Sequence, residues 1–180
     1  MALPSTLFRF RIDLSDVDSG VYENLDFRVA QHPSETLQFL LTRVLAYALN
    51  FSESPEFSAG GLSDPDAPCI SAPDPQGGVK LWIEIGNPSA RKLHKAAKAS
   101  KSVKVYTYKN PDLLIAELKS EGVYRAERIA VHSLAPEFLD RLAQAVERDN
   151  QWSVIHTEGV LTVTIGEQAE TGELRTHSVV

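Results

Sequence analysis

The run Val79–Gly86, VKLWIEIG, constrains the fold more than any other stretch of the chain. It reads as a well-buried strand interrupted by one carboxylate, Glu84. Asn87-Pro88 follows at once and predicts a helix start, with Asn as the N-cap and Pro at the first helical position. That helix runs to about Ser100, and Val103–Tyr108 is the next strand. A chain that passes from buried strand to helix to strand without a linker builds a sheet with helices on its faces. A carboxylate between Ile83 and Ile85 is costly in a core unless it is paired or bound. Lys80, Trp82, Glu84 and Gly86 share one side of the strand, and Glu84 needs no partner if that side faces water.

The remaining elements agree with this class. Thr6–Leu14 alternates as a strand, Asp16–Gly20 has turn chemistry, and Tyr22–Gln31 completes an opening hairpin. His32-Pro33-Ser34-Glu35-Thr36 starts a helix, with Pro33 in its first turn or Ser34 as its cap, and places Glu35 in that first turn. Leu37, Leu40, Leu41, Val44, Leu45 and Ala48 recur at helical spacing. Glu53–Gly78 is rich in proline and glycine, with short strands around Glu56–Ala59 and Cys69–Ser71. Further on, the pattern predicts a helix at Pro111–Lys119 that stops near Gly122, a strand at Arg128–His132 and a helix at Pro136–Arg148. A hairpin, Trp152–His156 with Val160–Ile165, turns at Glu158-Gly159. From Glu167 the chain is polar, and the expectation there is partial order. The expectation is one α/β domain over residues 1–180, a central mixed sheet flanked by helices.

Composition excludes several classes. With 43% apolar and 23% charged residues in 180, the chain has the balance of a globular protein with a core. No apolar run approaches the ~20 residues of a membrane span. The lone Cys69 precludes an internal disulfide, and the start of the chain lacks a secretory pattern, so the expected compartment is the cytoplasm. The net charge of −6 disfavours nonspecific nucleic-acid binding by the protein as a whole. Between Ile85 and Pro111, however, there is no acid, while Arg91, Lys92, Lys95, Lys98, Lys101, Lys104 and Lys109 fall there. A solvated helix face explains such a run, and so does a phosphate contact. Phosphate-loop, zinc and serine-elbow signatures are missing.

Three acids remain as candidates: Glu35, Asp66 and Glu84. Mg²⁺ takes one or two carboxylates and keeps waters, and a nearby lysine stabilises charge on a phosphoryl group. First-turn acids and Asp beside Pro are also ordinary structural chemistry, through the helix dipole and turn formation.

HPSET (His32–Thr36), Leu62-x-x-x-Asp66-x-Pro68, LWIEIG (Leu81–Gly86) with Pro88, Lys95-Ala96 and Tyr106-Thr107-Tyr108 together resemble the YaeQ family of bacterial proteins over almost the whole chain. That family resembles the PD-(D/E)xK nuclease superfamily, which implies a restriction-endonuclease-like core. The resemblance implies Asp66, after Pro65, and Glu84 as Mg²⁺ ligands, Glu35 as an assisting helix acid, and a nucleic-acid phosphodiester as substrate. The motif's lysine belongs two residues after the second acid, where this chain has Gly86. The Lys-Ala pattern points to Lys95 as the replacement. Helical phase favours Lys92 instead, at the edge of the face formed by Ala90, Leu93, Ala96 and Ala97. Lys80 is a further candidate to neutralise Glu84. Two functions follow: a metal-dependent nuclease, or an inactive nuclease fold that binds nucleic acid through the basic 91–109 segment or binds a protein partner.

Overall fold

The computed structural model describes residues 4–60 and 63–180, so Leu62 of the motif above lies outside the described residues. The order is β1 (Thr6–Asp16), β2 (Val21–Gln31), α1 (Leu37–Leu49), β3 (Glu56–Phe57), β4 (Ile70–Pro73), β5 (Val79–Ile85), α2 (Ala90–Ala99), β6 (Ser100–Thr107), α3 (Pro111–Glu121), β7 (Ile129–Ser133), α4 (Pro136–Ala145), β8 (Asp149–Thr157), β9 (Val160–Ile165), β10 (Gln168–Glu173) and β11 (Arg175–Ser178). The mixed α/β class is as expected, and the strands divide between two mixed sheets. One has the order β10-β9-β8-β1-β2, the other β11-β7-β6-β5-β4-β3. In the first, β1 runs parallel to β8; in the second, β5, β6 and β7 are parallel.

Helix α1 accounts for the two sheets. Leu40, Leu41, Val44, Leu45 and Ala48 pack with Phe10, Ile12, Leu14, Trp152 and Val154 of the first sheet. Ala46 packs with Ile70, Leu81, Ile83 and Tyr106 of the second. A helix apolar on both sides needs cover on both. Helix α4 joins α1 over the first sheet through Phe138, Leu139 and Leu142. Helices α2 and α3 cover the outer face of the second sheet, where Leu93, Ala96, Ala97, Leu114 and Leu118 meet Trp82, Val103, Val105 and Val131. Each large side chain so buried contributes about 1.5–3 kcal/mol.

Helix starts differ from the sequence reading. Thr36 caps α1, its hydroxyl accepting from the Phe39 amide, so Glu35 precedes the helix. Ser89, not Asn87, caps α2. The cause is Gly86, whose φ of +83° turns the chain sharply after β5. Asn87 instead accepts from the Thr107 hydroxyl at 2.7 Å and donates to the Asn110 carbonyl. The polar tail is also ordered. Strands β10 and β11 pair antiparallel with β9 and β7. Their solvated faces hide the usual apolar signal.

A polar layer lies beneath α1. Lys104 Nζ donates to Asn50 Oδ1 at 2.7 Å, and Asn50 Nδ2 donates to the Tyr106 hydroxyl at 2.9 Å. The His132 ring packs on Tyr106 with centroids 4.8 Å apart, and among the described residues its buried Nε2 has no hydrogen-bond partner. Burial lowers the Lys104 pKa and pushes the Tyr106 hydroxyl up to about 12. Burial, then the Lys104 charge, lowers His132 from 6.5 to about 4.

Two outcomes follow from this packing. A Cβ on Gly172 would lie 2.5 Å from the fully buried ring of Phe138. Gly172→Ala therefore costs about 1–3 kcal/mol, read as a lower urea midpoint. His132 takes its proton near 6.5 in the unfolded chain but only near 4 in the folded one. The unfolded state binds more protons across that window, so stability falls as pH drops through it. Urea titrations of wild type and His132→Gln will show a shallower acid-side loss in the variant.

Candidate functional site

Strand β5 points Leu81, Ile83 and Ile85 at the α1 side and Trp82 and Glu84 at α2. The Glu84 side therefore does not face water, and Glu84 is 1% exposed. Each of its oxygens has a partner. Trp82 Nε1 donates to Oε1 at 2.7 Å, and Lys92 Nζ lies 3.1 Å from Oε2. The Cys69 thiol, from the residue just before β4, approaches Oε2 at 3.5 Å. Burial, followed by the Glu84 charge, pushes that thiol up to about 12, so Cys69 is a donor to Glu84 and not a thiolate nucleophile.

Lys92 is the helical residue that reaches Glu84. Lys95, favoured by resemblance, pairs instead with Asp66 Oδ1 at 3.2 Å, and the side chains of both members of the pair are largely exposed. Lys80 does not neutralise Glu84; its ammonium sits 2.6 Å from Glu53. Pro65, Asp66, Ser89, Arg91, Lys92 and Lys95 line one cleft of about 580 Å³. Glu84 lies behind it, reached through Lys92. Counting Glu84 with the lining, three cations stand against two carboxylates, so the cleft attracts anions.

Glu35 is engaged elsewhere. Its Oε1 accepts from the His32 amide and from Arg43 Nη2, both at 3.0 Å, and Arg43 also donates to the Ala30 carbonyl. Burial raises the Glu35 pKa, outweighing the attraction of Arg43. Among the described residues, its Oε2 and Arg43 Nε have no hydrogen-bond partner. These contacts clamp the turn between β2 and α1. Among the described residues, no three acid, histidine or cysteine side chains converge as a metal-binding group.

Asp66 and Glu84 are oxygen donors of the type that Mg²⁺ accepts when water and substrate phosphate complete its shell; here each is paired with a lysine, and of the two only Asp66 lines the cleft. They do not form a protein-only cage. The Trp82 contact was legible in the sequence, since Trp82 lies two residues before Glu84 on the same strand face. Nothing in the sequence announced Cys69, which arrives from just before β4.

A sequence model of the YaeQ protein family matches residues 1–173. The chain belongs to the YaeQ family. Among relatives, "Uncharacterized protein YaeQ" of Escherichia coli (strain K12) is 32% identical over 108 residues, which is 60% of this chain and 59% of the relative. The Salmonella typhi protein of the same name matches to the same extent. The chain thus spans less than two thirds of these relatives' length in the aligned region. Solved YaeQ structures match far more completely. That from Pseudomonas syringae has a TM-score of 0.87 and 29% identity, covering 97% of both chains. That from Xanthomonas axonopodis pv. citri has a TM-score of 0.85 and 30% identity, covering 95% of this chain and 98% of the other. No helix among the described residues is long and apolar enough to cross a membrane.

The Lys92–Glu84 pair has a measurable cost of disruption. Lys92→Met leaves Glu84 buried without its cation and lowers stability by about 1–3 kcal/mol, reduced from the full buried-pair value because Lys92 is partly exposed. Adding Glu84→Gln restores more than half of the loss. A double-mutant cycle of urea midpoints measures both quantities.

Proposed function

We propose that this YaeQ protein binds the phosphodiester backbone of nucleic acid in the α2 cleft and hydrolyses it with Mg²⁺. One observation carries the reading: Lys92 Nζ lies 3.1 Å from Glu84 Oε2. An ammonium from the following helix takes the part of the lysine missing at Gly86, which supports the likeness to PD-(D/E)xK nucleases. Asp66 and Glu84 would hold the ion, with water and phosphate oxygens as its other ligands. When bound, Mg²⁺ supplies a nucleophilic water at neutral pH and neutralises charge on the phosphoryl group.

The chain's own residues do the rest. Arg91, Lys92 and Lys95 draw the phosphate into the cleft and stabilise charge on its oxygens. The Trp82 indole fixes the Glu84 carboxylate through Oε1 and leaves Oε2 facing Lys92. Glu35 takes no part in this scheme; it fixes the entry to α1.

A second reading, binding without hydrolysis, is favoured by the lysine already paired with each carboxylate. Labelled single- and double-stranded DNA and RNA incubated with Mg²⁺, Mn²⁺ or EDTA separate the two. The nuclease reading expects cleavage only with metal, and a drop of about 100-fold or more in Glu84→Gln, Asp66→Asn and Lys92→Met. Salt-sensitive binding without cleavage, weakened in Lys92→Met and Lys95→Met, selects the second reading. Neither binding nor cleavage would sink both.

A further inference from the structure

Parallel strands β6 and β7 end level with one another, Thr107 opposite Ser133. Beyond that point the chain parts to opposite faces of the sheet. The segment after β6 leads to α3, whose Leu114 and Leu118 pack on the α2 side. The segment after β7 leads to α4, whose Phe138, Leu139 and Leu142 pack on the α1 side. Such a divergence at the carboxyl ends of parallel strands opens a crevice between the two connections, the usual place for a ligand in an open α/β sheet.

Here the crevice is a cavity of about 740 Å³. That lies within the range of roughly 300–1,000 Å³ typical of small-molecule sites. Its walls combine apolar surface, including Tyr108 and Leu134, with a few polar groups. Ser133 is 8% exposed, and its hydroxyl is hydrogen-bonded to His177 Nε2 at 2.7 Å. Lys109 and Arg175 bring positive charge to the same cavity. Arg175 Nε is held by Glu173 at 2.8 Å, and its two terminal nitrogens carry four further donors. The other acid of the wall, Asp112, lies in the first turn of α3, where the helix dipole favours it. Helix α4 starts at this cavity with Ala135 at its N-cap and no side chain capping it.

We infer that the crevice between the ends of β6 and β7 binds a phosphorylated small molecule of nucleotide size, its phosphate held by Lys109 and Arg175 and its flat apolar part against Tyr108 and Leu134. The site uses none of Asp66, Glu84, Lys92 or Lys95, so it stands independently of the proposed nuclease cleft. Ser133 and His177 form its polar floor, a hydroxyl and imidazole able to bond a ribose or phosphate oxygen.

The test is amide NMR of the full chain titrated with adenosine 5′-monophosphate, inorganic phosphate and adenosine. The nucleotide is expected to shift residues 108–112, 133–136 and 173–177 and to bind more tightly than either fragment. Lys109→Ala and Arg175→Ala, both at exposed positions, should each weaken it by about tenfold or more, as loss of a charge-assisted hydrogen bond does. Three results would each overturn the inference: no shift in those segments with any of the three probes, shifts confined to the α2 cleft, or unchanged affinity in the double variant. Unchanged Lys92→Met affinity keeps this outcome separate from that of the cleft.

Discussion

Helix α1 carries the architecture because, among the described residues, it is the helix whose buried side chains enter the cores of both sheets. Its burial on two sides leaves little freedom in its position, and both of its ends are tied down by polar contacts. At the start, Arg43 reaches back to the Ala30 carbonyl and to Glu35, joining the helix to the end of β2. At the other end, Asn50 bonds the Ala46 carbonyl, the Tyr106 hydroxyl and Lys104. A buried ion pair is a costly way to fix a turn, and truncating one partner leaves the other uncompensated. The position of β5, and therefore of Glu84, depends on this alignment, since Ile83 and Ile85 pack in the cluster that contains Ala46.

Gly86 shapes the site from the other direction. With φ at +83° the backbone there lies in the left-handed region, which a lysine adopts only under strain. The same turn sends α2 back across the face that carries Glu84. A strand end that excludes the lysine thus delivers a helix bearing one, and Lys92 meets the carboxylate from above the sheet. Glu84 tolerates burial because an indole, an ammonium and a thiol surround it. Cys69 correspondingly remains protonated.

Much of this was written in the sequence. Strong periodicity placed β1, β2, α1, β5 and α4 within a few residues of their observed limits, and the helical phase of Ala90, Leu93, Ala96 and Ala97 pointed to Lys92 as the residue nearest Glu84. Resemblance favoured Lys95, whose partner proves to be Asp66. Periodicity could not say whether the Glu84 side of β5 was covered, because a strand pattern records alternation and not which layer lies opposite. Nor could it separate one sheet from two: α1 shows an apolar stripe in either case. Glu35 looked like a first-turn acid, and only the position of Thr36 as cap and the reach of Arg43 reveal a clamp. The tail from Glu167 escaped notice because an edge strand with wet faces lacks the apolar alternation by which strands are recognised.

The parallel pairing of β1 with β8 has a consequence for how the molecule is made. Asp16 bonds His156 across a separation of 140 positions, and every β1–β8 partner is similarly remote. A hairpin of β1 and β2 alone has no partner for its inner face, and isolated hairpins are marginal in water. During synthesis β2 and α1, which follow directly, cover one edge of β1 and its apolar face, while the other edge stays unpaired until β8 has been made. Pairing of such long reach closes a large loop before it is rewarded, which slows folding and prolongs exposure of that edge. One edge of β1 is thus secured long after the other.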